Sequence, residues 1–375
     1  MTDWSSLVRP SLVGIAPYDP GASLEELKAE HGLDEIVKLN WNEGLQGPFP
    51  GVAEAVVAEL ENAWMYPEQA YSQFREAVAA WIGTLAERIV PGHGIQALIG
   101  TVAHAFLDPG DAVVVATPTY GLYAQVCAAV GARVERVPGR GLRHDLEAVA
   151  DAALRTDARL AWICDPNNPT GSLVEQGEWG AFLDALPERC AVVVDEAYVE
   201  YVDPARRLRR EQDVEAGRAV ILLRTFSKIF GLAGLRLGYA VAHESLAAFL
   251  DVVQEPFNVN RAALAAGRES LARREIVEER RRENAAAREL LSERLRDGGA
   301  DPAPSEANFV LVAVGVDDLA LYDRLLRRGL LVRPGSEFGL DGSVRITVGP
   351  EPLMERVAGE LARAREELLG AGAAR

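Results

Sequence analysis

AVVVDEAY, residues 191–198, sets four apolar residues directly before two carboxylates and a tyrosine, and AVILLRTFSK, residues 219–228, repeats the pattern with a lysine at its end. Each is a strand-length apolar run that stops abruptly at polar residues. Two other runs behave the same way: Ala112–Ala116 (AVVVA) passes into TPTY, and Leu160–Cys164 (LAWIC) passes into DPNNPTG. These four candidate strands alternate with helical patterns, which predicts an α/β protein with a mostly parallel sheet covered by helices. Ligands of open parallel sheets sit just beyond the carboxyl ends of the strands, so chemistry is expected in the four polar segments.

Outward from this centre the pattern changes. Beyond about residue 265, GRESLARREIVEERRRENAAARELLSERLR interleaves glutamates and arginines at helical spacing, such as Glu269 with Arg273 and Glu278 with Arg282. It reads as one long solvated helix. SEANFVLVAV, LLVRPG and SVRITV then supply three strand-like pieces. The expected organisation is a loop-rich segment 1–50 contributing to the small domain, a large domain 51–265 and a smaller C-terminal α/β domain 266–375.

The 375 residues carry 49% apolar and 25% charged side chains, and the longest apolar runs are strand-sized, so no membrane span is expected. A formal charge of −17 repels nucleic acid and anionic lipid. MTDWSSLVRP lacks the features of an export signal, which points to the cytoplasm. Cys127, Cys164 and Cys190 are scattered and read as buried thiols, with neither a disulfide framework nor a metal site.

GHGIQA (92–97) fits a dinucleotide-binding fingerprint, and a dehydrogenase is the natural rival reading. That fingerprint also needs a carboxylate at the end of the next strand, where this chain has Thr117-Pro118-Thr119. What survives is a glycine turn opening a helix, whose free N–H groups suit a phosphate.

The remaining strand-end residues match another chemistry. Asp195 ends its strand where a carboxylate is costly to bury unless it meets a cation. Tyr198 follows three residues later. Lys228 has the Thr225 and Ser227 hydroxyls beside it and Arg236 downstream, a set suited to phosphate. Asn168 supplies an amide and Tyr120 a flat ring for stacking. A lysine amine, a carboxylate for a pyridine nitrogen and a phosphate cup are what pyridoxal 5'-phosphate requires. In VRITV (344–348) the alternation turns Arg345 and Thr347 away from the apolar face.

The chain resembles the histidinol-phosphate aminotransferase family, within the fold type I pyridoxal-phosphate enzymes, over nearly its whole length. The likeness is carried by APYDPG near residue 16, LNWNE, Tyr66-Pro67, NNPTG, DEAYVEYVD, RTFSKIFGLAGLRLGY, PFNVNR, SEANF and VRITVG. It implies that Lys228 forms the imine with the cofactor and moves the Cα proton, that Asp195 pairs with the pyridine nitrogen, and that Tyr198 and Asn168 hold the 3' oxygen. Tyr120 would stack on the ring. Ser227, Thr225, Arg236 and the backbone of Ile95 and Gln96 would hold the phosphate. The resemblance further implies a homodimer, with segment 1–50 at the dimer contact and Tyr66 reaching the phosphate of the partner subunit's cofactor. Arg345 would grip a substrate carboxylate, Arg333 a substrate phosphate, and Tyr18 would also contact substrate. The expected reaction moves an amino group between a small-molecule donor, best taken as L-histidinol phosphate, and 2-oxoglutarate. The alternatives are an aromatic (phenylalanine) aminotransferase and a pyridoxal-phosphate lyase such as a threonine-phosphate decarboxylase. Departures from the family pattern at GHGIQA, NWNEGLQG (40–47) and Met65 fall where substrate and partner would lie.

Overall fold

The computed structural model describes residues 2–17 and 21–373, so Tyr18 lies outside the described residues. The chain enters through α1 (Leu24–His31), whose first turn is closed by a reciprocal Ser23–Glu26 capping box, and through the short β1 (Val37–Lys38). Helices α2 (Val52–Leu60) and α3 (Ser72–Ile82) precede β2 (Ile89–Gly92) and α4 (Gly94–Phe106). Alternation then sets in: β3 (Ala112–Thr117), α5 (Leu122–Ala129), β4 (Arg133–Pro138), α6 (Leu146–Thr156), β5 (Leu160–Cys164), α7 (Gln176–Ala185) and β6 (Ala191–Asp195). After α8 (Glu211–Glu215) come β7 (Val220–Thr225) and β8 (Gly238–Val241).

These strands form a seven-stranded sheet in the order β2-β8-β7-β6-β5-β3-β4. Strands β3 to β7 are mutually parallel, and β8 runs antiparallel to both β7 and β2. Every residue of β5, β6 and β7 is buried, which explains why these segments read as unbroken apolar runs rather than as alternation. The four expected strands are present. Three more were not anticipated: β4 (RVERVP) is a polar edge strand, β2 contains a proline, and β8 is only GYAV.

Helices α9 (Glu244–Val253), α10 (Arg261–Leu271) and α11 (Arg274–Asp297) follow. The expectation of one long solvated helix needs correction, because the stretch breaks at Ala272–Arg273 and α11 buries Val277, Ala287, Leu291 and Leu295. Glu269 does pair with Arg273 at 2.7 Å, whereas Glu278 pairs with Arg281 at 3.0 Å rather than with Arg282.

The remaining elements are β9 (Asp301–Pro302), β10 (Phe309–Ala313), α12 (Asp318–Leu326), β11 (Leu330–Leu331), β12 (Arg333–Pro334), β13 (Ser343–Thr347) and α13 (Glu351–Ala373). Strands β12-β13-β10-β9 form an antiparallel sheet. Val310, Val312, Val344 and Ile346 are fully buried and pack with Leu291, Leu321, Leu325 and Leu361 in a second core, separate from the one around the large sheet. Strand β1 pairs in parallel with β11, and Leu39 joins the second core. That anchoring delivers Asn40–Glu43 to the mouth of the large sheet.

Candidate active site

One cleft of about 740 Å³ opens at the carboxyl ends of β3, β5, β6 and β7, closed on one side by Asn40–Glu43 and by β12–β13. Asp195, the last residue of β6, is 4% exposed. Its Oδ1 accepts the Ala197 N–H at 3.0 Å and its Oδ2 accepts the Tyr123 hydroxyl at 2.6 Å. Burial pushes the carboxyl up to about 6, opposed by those two donors and by Lys228. A carboxylate so placed gains most from a cationic partner in the cleft. The adjoining Glu196 turns into the interior, where Arg210 and Arg224 bind it, and Arg210 also reaches Asp165. Asp165 Oδ1 accepts the Val174 N–H at 2.9 Å, which pins the loop carrying Asn168.

Lys228 follows β7. Its Nζ donates to the Trp41 carbonyl at 2.8 Å and lies 5.5 Å from the centre of the Tyr198 ring. Burial and then the Arg345 charge lower its amine to about 7, against the pull of Glu43 and Asp195. Close approach of the two segments depends on Gly44, where a Cβ would lie 2.3 Å from the Lys228 carbonyl oxygen. Tyr198 accepts a hydrogen bond from Asn42 Nδ2 at 3.2 Å and meets Phe309 edge-on.

At the opposite end, the Gly92–Gly94 turn opens the 13-residue α4, whose first N–H groups are free of helical partners. Gly94 has φ +79°, and a Cβ there would lie 2.6 Å from an Arg236 guanidinium nitrogen, so the missing side chain makes room for that cation at the helix N-terminus. Arg236, itself at φ +57°, donates to Gln96 Oε1 at 3.2 Å, and Gln96 Nε2 donates to the Tyr120 hydroxyl at 2.9 Å. Thr225 and Ser227 line the same end, with the Ser227 N–H bonded to Thr225 Oγ1 at 3.0 Å.

The far wall comes from β13. Val344 and Ile346 face the second core, and Arg345 points the other way, 4% exposed, donating to Asn168 Oδ1 and to the Asn40 carbonyl. Arg333 stands opposite Arg345 in the β12–β13 register and forms an ion pair with Glu337.

The sequence model of the family described as Aminotransferase class I and II matches residues 34–361. The chain belongs to that family. It is 39% identical to the histidinol-phosphate aminotransferase of Moorella thermoacetica over 91% of this chain and 88% of the relative. It is 38% identical to that of Geobacillus thermodenitrificans over 93% and 96%. The crystal structure of histidinol-phosphate aminotransferase from Sinorhizobium meliloti in complex with pyridoxal 5'-phosphate superposes with a TM-score of 0.87 at 30% identity, over 95% of this chain and 98% of that one. The protein is therefore a pyridoxal-phosphate-dependent aminotransferase of the fold expected from its sequence.

The aminotransferase's own residues fit the cofactor. The room at Gly94, the Arg236 guanidinium and the start of α4 suit a phosphate, the buried Asp195 suits a pyridinium, and Lys228 supplies the amine. Ile95, Gln96, Tyr120, Asn168, Asp195, Tyr198, Thr225, Ser227, Lys228, Arg236, Arg333 and Arg345 all border the one cleft. Tyr66 does not; it is 78% exposed and stacks on Phe257 at 4.8 Å. Sequence reading set segment 40–47 beside substrate or partner but gave Asn40, Trp41 and Asn42 no individual role, and it missed Tyr123. For Tyr123 a signal existed, since Tyr120-x-x-Tyr123 places two aromatic rings on one side of a helix start. Cys127, Cys164 and Cys190 are buried and free, and among the described residues no acidic, histidine and cysteine group could hold a metal ion. Among the same residues no helix is long and apolar enough to cross a membrane.

Proposed function

We propose that this aminotransferase moves the amino group of L-histidinol phosphate to 2-oxoglutarate, with Lys228, Asp195 and Tyr198 as its catalytic residues. When bound, pyridoxal phosphate supplies an aldehyde to capture the amine and a protonated ring to accept electrons from Cα. An amine lowered to about 7 leaves Lys228 substantially neutral at physiological pH, the form able to attack a carbonyl or to take up a proton. Asp195 would hold the ring nitrogen, Tyr198 and Asn168 would hold the 3' oxygen, and Tyr120 would lie against the ring. Ile95 and Gln96 N–H groups, Thr225, Ser227 and Arg236 would hold the phosphate.

The observation carrying the substrate reading is the direct opposition of Arg333 and Arg345 across β12–β13 at the cleft wall. Histidinol phosphate bears a phosphate ester where an amino acid bears its carboxylate, and a dianion rewards two guanidinium groups where a carboxylate needs one. The names of the relatives point the same way. Two features favour phenylalanine as a second reading: Glu337 already pairs with Arg333, and Trp41 and Phe338 give the cleft aromatic walls. A panel of histidinol phosphate, phenylalanine and phosphothreonine, each with and without 2-oxoglutarate, separates the readings. Turnover of histidinol phosphate that depends on the oxo acid supports the proposal; turnover confined to phenylalanine, or independent of an acceptor, overturns it.

The functional unit we propose is a homodimer in which Tyr66 reaches the partner's cofactor phosphate. In support, Trp64, Tyr66, Phe249 and Val252 are 80%, 78%, 68% and 81% exposed, an apolar display that an isolated chain would leave to water.

A further inference from the structure

Tyr123 is fully buried, yet its hydroxyl does not serve the fold in any evident way: it reaches past the end of β5 to the carboxylate that ends β6. Its ring lies flat on Trp162, with centroids 5.1 Å apart and planes 10° apart, and Tyr120 closes on it edge-on at 5.6 Å. These contacts leave the ring no freedom to turn the hydroxyl elsewhere. At 2.6 Å the bond is in the range of a phenol donating to a carboxylate. With Oδ1 taken by the Ala197 N–H, the two bonds determine the plane of the carboxylate and leave its remaining lone pairs facing the cleft.

We propose that Tyr123 is a positioning residue that keeps Asp195 both ionised and aimed at the cofactor's ring nitrogen. This rests on the reading of Asp195 as the ring-nitrogen partner. Asp195 and the ring nitrogen would compete for one proton. A carboxylate and a pyridine nitrogen in contact share a proton, and each bond donated to the carboxylate favours its charged form, placing the proton on nitrogen. Burial works in the opposite direction, so the donor is needed. The charged and titratable groups around Asp195 are Tyr123 from α5, Cys164 from β5, Glu196 next in sequence just beyond β6, and Tyr198 and Lys228 from the following segments. Of these, Glu196 is neutralised by Arg210 and Arg224, and burial pushes the Cys164 thiol and the Tyr198 phenol upward, so both stay neutral. The Tyr123 phenol is raised well above its ordinary value too, which makes it a donor throughout the working pH range.

The test is Tyr123→Phe, which preserves the ring and its stacking on Trp162, reconstituted with pyridoxal phosphate carrying ¹⁵N in the ring. The nitrogen shift reports the proton directly. Relative to the parent holoenzyme, loss of the pyridinium signal is expected at a pH lower by about one to two units, the equivalent of one hydrogen bond to a charged group. An accompanying fall in kcat of tenfold or more, with KM little changed, is expected. Superimposable ¹⁵N titrations of parent and Tyr123→Phe would overturn the proposal. Asp195→Asn tells this apart from failure of the underlying reading: a ring nitrogen still protonated in that variant removes Asp195 from the role, whereas a signal lost there and unchanged in Tyr123→Phe removes only Tyr123.

Discussion

Arg345→Ala probes the cleft at the point where its two walls meet. In the parent the guanidinium is buried, donates to Asn168 Oδ1 and the Asn40 carbonyl, and lies 5.4 and 5.3 Å from the Phe309 and Phe338 ring centres. A substrate anion gripped by this fork gains two charge-assisted bonds, about 3–6 kcal/mol if each contributes about 1.5–3. Because Asn168 and Asn40 already occupy both terminal nitrogens, the anion shares or displaces those bonds, which brings the net towards about 3 kcal/mol. That corresponds to on the order of a hundredfold in kcat/KM for histidinol phosphate and for 2-oxoglutarate alike. A second readout is independent of substrate. The Arg345 charge is the largest cause after burial of the lowered Lys228 amine, so its removal favours the ammonium form and raises that value above about 7. Rebinding of cofactor to the apoenzyme, which needs the neutral amine, should then shift its pH midpoint upward. Steady-state kinetics and stopped-flow reconstitution measure the two effects, and Arg345→Lys, which keeps charge but loses the fork, should recover the second effect more fully than the first. A folded Arg345→Ala enzyme whose kcat/KM falls less than threefold with both substrates would refute the substrate role, and an unmoved reconstitution midpoint would refute the coupling to Lys228.

Arg333→Ala should weaken histidinol phosphate by tenfold or more in kcat/KM while changing phenylalanine by less than about threefold, since Arg345 alone suffices for a carboxylate; equal effects on both would remove the phosphate role. Lys228→Ala should abolish turnover yet retain cofactor through the phosphate contacts, seen as free-aldehyde absorbance that survives gel filtration, and residual transamination would exclude Lys228 as the catalytic amine. Tyr66→Phe should lower cofactor affinity by about 1 kcal/mol or a little more with an unchanged melting profile, and a fully active monomer by sedimentation would contradict the partner-site assignment.

Much of the chemistry was legible because it is local. Asp195 and Lys228 lie at or just beyond the ends of strands that are apolar on both faces, and covalent order alone carries them to the mouth of a parallel sheet. The Gly92–Gly94 turn announces a helix N-terminus for the same reason, and the two-residue alternation of VRITV already turned Arg345 off the apolar face. Other features had no local signal. Strand β4 is polar because it is an edge, β8 is four residues long and held by pairing with β2 and β7, and the break between α10 and α11 at Ala272–Arg273 carries no glycine or proline to mark it. Nor does any periodicity indicate that β1 would pair with β11, that Asn42 would meet Tyr198, that Arg345 would bind Asn168 across 177 positions, or that Tyr123 would reach Asp195 across 72. Sequence pattern encodes the direction a side chain takes from its own strand or helix. Which partner it meets depends on how two separately packed cores approach one another, and that is settled only when the whole chain has folded.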